Sequence, residues 1–125
     1  MIIGEKRVFE GIALVDIGAW YTVIDKELAE EIGVKYTDLV LGLTSFSGHR
    51  VRCDEALVNS LRVEEKTAPF ELVAICTIPG QVKELLRKLE VSDRIIIGIH
   101  TLERLGYMVD PVTHRLIESP DILML

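Results

Sequence analysis

The segment 13–24 holds the residues best suited to chemistry, because an apolar stretch there ends at a carboxylate. Asp16 follows the run ALV and precedes Ile17, Gly18 and Ala19. Glycine permits a tight bend and the close approach of another group, and alanine leaves the surroundings open. A carboxylate at the end of a rigid strand, held by backbone N–H groups, is suited to acid or base catalysis. The competing interpretation is an aspartate that only begins a turn.

A second segment, 95–106, combines an apolar strand, a glycine and a short helix. Ile97 and Gly98 end the strand, and Leu102 lies in a helix that Gly106 stops. Between the two segments, a turn-forming stretch separates two strand-like runs and predicts a hairpin. The residues at its tip are Phe46, Ser47 and Gly48. This tip is interpreted either as a mobile flap over a site or as an ordinary exposed turn.

The elements that must position these residues are short strands with a few small helices. Apolar and β-branched runs predict strands over 8–15, 21–24, 39–43, 49–57, 58–63, 70–78, 93–98, 107–109 and 115–118. A first helix is expected after Asp25, with Leu28, Ala29 and Ile32 on one face and Gly33 at its end. A second is expected around Val82, Leu85, Leu86 and Leu89, which have helical spacing. Such a pattern is typical of a compact barrel or sandwich.

Composition limits the classes of protein to be considered. The 125 residues are 49% hydrophobic and 27% charged, which predicts one folded domain over 1–125 and excludes a disordered chain. The apolar runs are far shorter than the roughly 20 residues of a membrane span. The start of the chain turns charged at once, unlike a signal peptide, so a soluble cytoplasmic protein is expected. The net charge of -6 disfavours binding to nucleic acid.

The remaining candidate groups carry weaker signals. Cys53 and Cys76 fit neither a disulfide framework nor a zinc site, and buried free thiols are expected. The chain has a single Asn and a single Gln, which favours a heat-adapted source, where a disulfide would be less unusual. A His49–Cys53 nucleophilic pair lacks an electropositive setting. His100, Asp110 and His114 lack convincing ligand spacing, so neither a metal nor a cofactor is predicted.

In their order along the chain, these segments resemble the single-domain, retropepsin-like aspartic proteases of clan AA. Asp16 to Ala19 matches the Asp-Thr/Ser-Gly-Ala/Ser loop of that family, and 46–48 matches its flap. Ile97 and Gly98 match the apolar-apolar-Gly strand, and Leu102 the following helix. The resemblance implies a mainly β fold: a closed antiparallel barrel with two or three short helices.

The resemblance also implies a mechanism and an oligomeric state. Aspartic proteases hold a water molecule between two carboxylates, one ionised and one protonated, which share a proton and titrate as a pair. The sequence has one Asp-x-Gly, so the second carboxylate would come from another copy. The expected function is a homodimeric aspartic endopeptidase acting on extended peptides or unfolded proteins. The apolar end, 122–125, would pair with the partner's end or dock on its own barrel.

Two departures from the family pattern leave an alternative open. Ile17 replaces the Thr or Ser whose hydroxyl bonds across the family's dimer, and losing such a bond costs about 1 kcal/mol. Trp20 places a large ring near the loop, where it would narrow the cleft or form an apolar subsite. A catalytically silent dimer that binds peptides or assembles a partner is therefore the alternative.

The first segment also resembles the phosphate loop of actin-like ATPases and sugar kinases, Asp-x-Gly-x-x-x-Thr. In this sequence that pattern runs from Asp16 to Thr22. The resemblance implies a fold of two domains with a second Asp-Gly phosphate loop, and the chain contains neither. Phosphate binding is therefore the less favoured interpretation of this segment.

Overall fold

A computed structural model describes residues 1–44, 48 and 50–119, and these residues form a mainly β fold with three helices. The strands are β1 (Ile2–Ile3), β2 (Val8–Phe9), β3 (Leu14–Asp16), β4 (Thr22–Asp25), β5 (Lys35–Thr44), β6 (Arg50–Val63), β7 (Lys66–Cys76), β8 (Ile95–Gly98), β9 (Tyr107–Val109) and β10 (Leu116–Glu118). The helices are α1 (Lys26–Ile32), α2 (Gly80–Lys88) and α3 (Ile99–Leu105).

Eight of the strands form one curled sheet in the order β2-β1-β6-β7-β4-β8-β3, with β5 beside β6. Strands β9 and β10 form a separate hairpin. Most ladders are antiparallel, but β3 pairs with β8, and β4 with β7, in parallel. The main core packs Ile24, Val73 and Leu102 among other buried side chains, and a smaller cluster packs α2 against β8. The expected mainly β architecture with short helices is confirmed.

The boundaries of some predicted strands and the buried face of one predicted helix differ from the structure. From Arg50 onwards, the two predicted strands that meet at Leu57 and Val58 form one continuous strand, β6, because no glycine or proline lies at their junction. The predicted strand 8–15 is two short strands, interrupted around Gly11. In α2, Leu86 is buried, but Leu85 and Leu89 are exposed, so the apolar face is narrower than the spacing predicted.

The expectation of two free thiols is wrong, because Cys53 and Cys76 form a disulfide. Strands β6 and β7 are antiparallel, and their register pairs Asp54 with Ile75. The two cysteines lie one position beyond that pair, with Cα atoms 4.6 Å apart. Cysteines that face each other on neighbouring strands lie within the range a disulfide can span. Their sequence spacing gave no sign of this register.

No helix in the described ranges is long and apolar enough to span a lipid bilayer.

Helix α2 is fastened to the sheet by the buried carboxylate of Asp25. The sequence predicted Asp25 as the cap of α1, and it occupies that position, but its side chain makes no capping bond. Its Oδ1 instead accepts a hydrogen bond of 3.0 Å from the Ile78 N–H, and its Oδ2 lies 3.3 Å from Lys83 Nζ. The Asp25 side chain is only 3% exposed. The contact therefore joins the end of β4 to the segment that leads into α2 and to α2 itself.

We expect Asp25→Ala to lower the free energy of unfolding by about 2 to 4 kcal/mol, because it leaves the Ile78 N–H without its acceptor and Lys83 without its counter-ion. Urea unfolding followed by circular dichroism measures the change. Glu84→Ala is the matched control, since it removes only the exposed pair with Lys88 and should stay within about 0.5 kcal/mol of wild type. Equal losses from both variants would contradict the anchoring role of Asp25.

Candidate active site

Asp16 lies at the last position of β3, where a tight loop begins. Its Oδ1 accepts a hydrogen bond of 2.9 Å from the Gly18 N–H, and the Ala19 N–H donates to the Asp16 carbonyl at 3.1 Å. The side chain is partly exposed. The loop thus holds one carboxylate oxygen and leaves the residue accessible.

Strand β8 and helix α3 hold this loop in place. Asp16 is paired with Gly98, and a Cβ at Gly98 would collide with the backbone of Tyr21. The Ile99 N–H donates to the Ala19 carbonyl at 2.7 Å, and the His100 N–H to the Trp20 carbonyl at 3.0 Å. The first N–H groups of a helix have no partner within the helix, so the loop supplies the acceptors that α3 needs.

A buried pair of hydroxyl groups lies beneath the same junction. The Oγ1 atoms of Thr22 and Thr101 are 2.6 Å apart, and Thr22 Oγ1 also accepts a bond of 3.1 Å from the Gly98 N–H. Both threonines are fully buried. The contact therefore joins β4, β8 and α3 at the level of Asp16. Nothing in the sequence marks these two threonines as a pair, because they meet only in the folded sheet.

Asp16 lies at the wall of a cleft of about 510 Å³. Among the described residues that line it, Asp16 is the only carboxylate. The other lining residues are Gly18, Ala19, Trp20, Tyr21, Val23, Leu43, Thr44, Val51, Cys53, Cys76, Ile78, Pro79, Val82 and Ile96. The cleft is therefore an apolar trough with one acid at its wall, suited to an extended chain with apolar side chains.

The predicted site residues occupy different parts of this region. Gly18 and Ala19 line the cleft, whereas Ile17 does not line it and is 63% exposed. Ile97 and Leu102 are buried in the main core and support the site without lining it. Of the predicted flap, Phe46 and Ser47 lie outside the described residues.

Gly48 is exposed and has a φ of 81°, a conformation that favours glycine. It lies between β5 and β6, whose ladder ends at the pair Thr44–Arg50.

The weaker candidates do not assemble into a site. Cys53 is bonded to Cys76 and is not available as a nucleophile, and His49 lies outside the described residues. In the part of the chain that the structure describes, no three or more His, Cys, Asp or Glu side chains are grouped to hold a metal ion.

Tyr21 brings a further polar contact to the edge of the cleft that the sequence gave no reason to expect. Its hydroxyl donates to Glu55 Oε2 at 2.6 Å, and Thr37 donates to the other carboxylate oxygen at 2.9 Å. Burial raises the pKa of Tyr21 to about 12, and the hydrogen bond and charge of Glu55 act in the same direction. This contact ties the residue that follows Trp20 to β6.

Comparison with known proteins confirms the expected retropepsin-like fold. A family model described as aspartyl protease matches residues 3–101. The EIAV protease complexed with the inhibitor HBY-793 is similar in structure, with a TM-score of 0.51 and 17% identity over 82% of this chain and 90% of that chain. The retroviral protease-like domain of Ddi1 from Leishmania major has a TM-score of 0.50 and 17% identity over 93% and 92%. No curated protein shows significant sequence similarity.

The raised pKa of Tyr21 predicts a loss of stability at high pH. The folded state binds the phenol proton more tightly than the unfolded state, in which the pKa of the tyrosine is near 10.0. The free energy of unfolding should therefore fall from pH 10 towards pH 12. Tyr21→Phe should show a smaller fall over this range. Urea unfolding at each pH measures it. Burial also raises the pKa of Tyr36, so the same measurement on Tyr36→Phe shows how much of the fall in stability comes from that residue. Identical pH dependence in wild type and Tyr21→Phe would contradict the assignment.

Proposed function

The chain belongs to the aspartyl protease family, and on that premise we propose that it is an aspartic endopeptidase that cleaves extended polypeptides as a symmetric homodimer. Asp16 is the proposed catalytic residue. The observation that carries the proposal is the loop that holds Asp16 at the wall of an apolar cleft, with one carboxylate oxygen accepting from the Gly18 N–H.

The need for a dimer follows from the chemistry of the cleft. In the mechanism of aspartic proteases, one carboxylate acts as base on the attacking water and a second, protonated one acts as acid. Asp16 is the only carboxylate among the described lining residues. The proposed second acid is therefore Asp16 of another copy, placed across a two-fold axis so that the two carboxyl groups share a proton.

The neighbouring residues have proposed roles that match their positions. Gly18 and Ala19 keep the loop tight and leave room for the substrate beside Asp16. The hairpin of β5 and β6 carries the proposed flap at 46–48, which would close over the peptide and exclude water. An extended peptide would bind by strand-like pairing along the cleft.

Ile17 supports an apolar contact between the two copies. It adjoins Asp16 and is 63% exposed in the single chain. If the two Asp16 residues meet across a two-fold axis, the two Ile17 side chains come close to each other as well. Burying this apolar surface would favour association, in place of the hydroxyl that other members of the family carry here.

The alternative function is a catalytically silent dimer that binds extended peptides or assembles a partner. Ile17 is the observation that favours it, because isoleucine cannot form the hydrogen bond of a Thr or Ser. The two functions share the cleft and the dimer and differ only in whether the paired Asp16 residues activate water.

We expect Asp16→Asn to reduce cleavage of casein, a naturally unfolded protein, by at least about 100-fold, because an amide can act neither as base nor as acid. Fragments are measured by mass spectrometry from acidic to neutral pH. Asp110→Asn, in the turn between β9 and β10, is the matched control and should retain activity. Equal cleavage by wild type and Asp16→Asn, or no cleavage by either, would contradict the peptidase function.

Ile17 provides a test of the proposed association of two copies. Ile17→Glu should weaken the dimer at least about 100-fold and abolish cleavage, because it places like charges together near the axis. Sedimentation equilibrium at micromolar concentration measures the dimer. Leu89→Glu, at the exposed end of α2, is the matched control and should leave it intact. A wild-type protein that is strictly monomeric at this concentration would overturn the proposed dimer.

A further inference from the structure

Trp20 is a large apolar residue that the fold does not bury. It is the only tryptophan in the 125 residues, and 51% of it is exposed. It lines the same cleft as Asp16, four positions further along the chain. Neither the core nor the proposed chemistry at Asp16 requires an indole here, so its exposure in the cleft calls for a separate role.

The indole is held by aromatic contacts within the chain. The ring of His100 stacks on it, with ring centres 4.4 Å apart and planes inclined by 25°. Tyr21 lies edge-on, with centres 4.6 Å apart and planes inclined by 73°. The backbone N–H of His100 also donates to the Trp20 carbonyl. The ring is therefore fixed before any ligand arrives, which reduces the entropy lost on binding.

The imidazole of His100 lies beside a buried carboxyl group on β7. The carboxylate of Glu71 is 1% exposed, and its Oε1 lies 3.6 Å from His100 Nδ1 and 3.2 Å from Arg104 Nη1. His100 and Arg104 are one helical turn apart on α3. The stack of Trp20 on His100 therefore adjoins a buried carboxyl group of the sheet.

We infer that Trp20 is a specificity-determining residue that selects a planar aromatic side chain of the peptide over a branched aliphatic one, with His100 as its positioning residue. The inference rests on the proposed function for the peptide as ligand. Most of the other apolar wall residues are aliphatic, such as Val23, Val51 and Val82, and these offer no preference for a flat ring. Aromatic pairs gain stabilisation beyond the area they bury, which corresponds to roughly a 3- to 10-fold preference in affinity.

The test compares tryptophan-free decapeptides that carry a single Phe at each position in turn with counterparts that carry Leu. Binding is measured by calorimetry on the Asp16→Asn protein, which should bind peptide without cleaving it. At one position we expect the Phe peptide to bind roughly 3- to 10-fold more tightly and to shift the Trp20 fluorescence. Adding Trp20→Leu should bring the ratio near one. Phe70→Leu removes an exposed aromatic residue outside the cleft and should leave the ratio unchanged.

The positioning role of His100 has its own readout. His100→Ala should lower the Phe-to-Leu affinity ratio and increase quenching of Trp20 fluorescence by acrylamide, whereas His100→Phe should restore both by keeping a ring in the stack. A purely structural role would change the affinity for both peptides and leave their ratio intact, which would overturn the assignment of His100.

A Phe-to-Leu ratio near one at every position, a ratio that survives Trp20→Leu, or no binding of any peptide would overturn the specificity inference. If wild type fails to cleave casein but the ratio still depends on Trp20, the peptidase proposal fails and the specificity inference stands. The two failures are therefore distinguishable.

Discussion

The position of Asp16 depends on the buried contact between the hydroxyl groups of Thr22 and Thr101. This contact joins β4 to α3, and the Gly98 N–H adds β8 to it. Because β8 runs parallel to β3, it sets the height at which the Asp16 loop leaves the sheet. A buried hydroxyl without a partner costs about 1 to 3 kcal/mol, so the two threonines hold each other in place. The loop, the helix and the cleft wall all start from this junction.

Local patterns in the sequence were sufficient to predict those elements whose position depends on neighbouring residues. The end of β3 at Asp16, the buried face of α1 and the apolar strand before Gly98 follow from residue type and spacing. The order of these segments along the chain was enough to identify the family. Short-range signals succeed here because glycines and carboxylates mark where apolar runs end.

Contacts between distant segments could not be predicted in the same way. Thr22 and Thr101 are 79 residues apart, and Asp25 meets Ile78 across 53 residues. The disulfide likewise depends on the register between β6 and β7, which residue spacing does not define. Each of these contacts joins polar or sulfur groups whose types also occur on protein surfaces, so composition gave no reason to pair them. They are the contacts that determine the shape of the cleft.

The contacts around residues 16–20 separate two consequences of Ile17. The loop is ordered within one chain by the Gly18 and Ala19 N–H groups, and the Ile99 and His100 N–H groups fasten it to α3. None of these bonds uses the side chain of residue 17. Replacing a hydroxyl by isoleucine therefore leaves the local geometry of Asp16 intact. Its effect falls on whatever meets residue 17 from outside the chain, which in the proposed dimer is the partner. The departure from the family pattern is thus a question of how two copies associate, and the position of Asp16 within each copy does not depend on it.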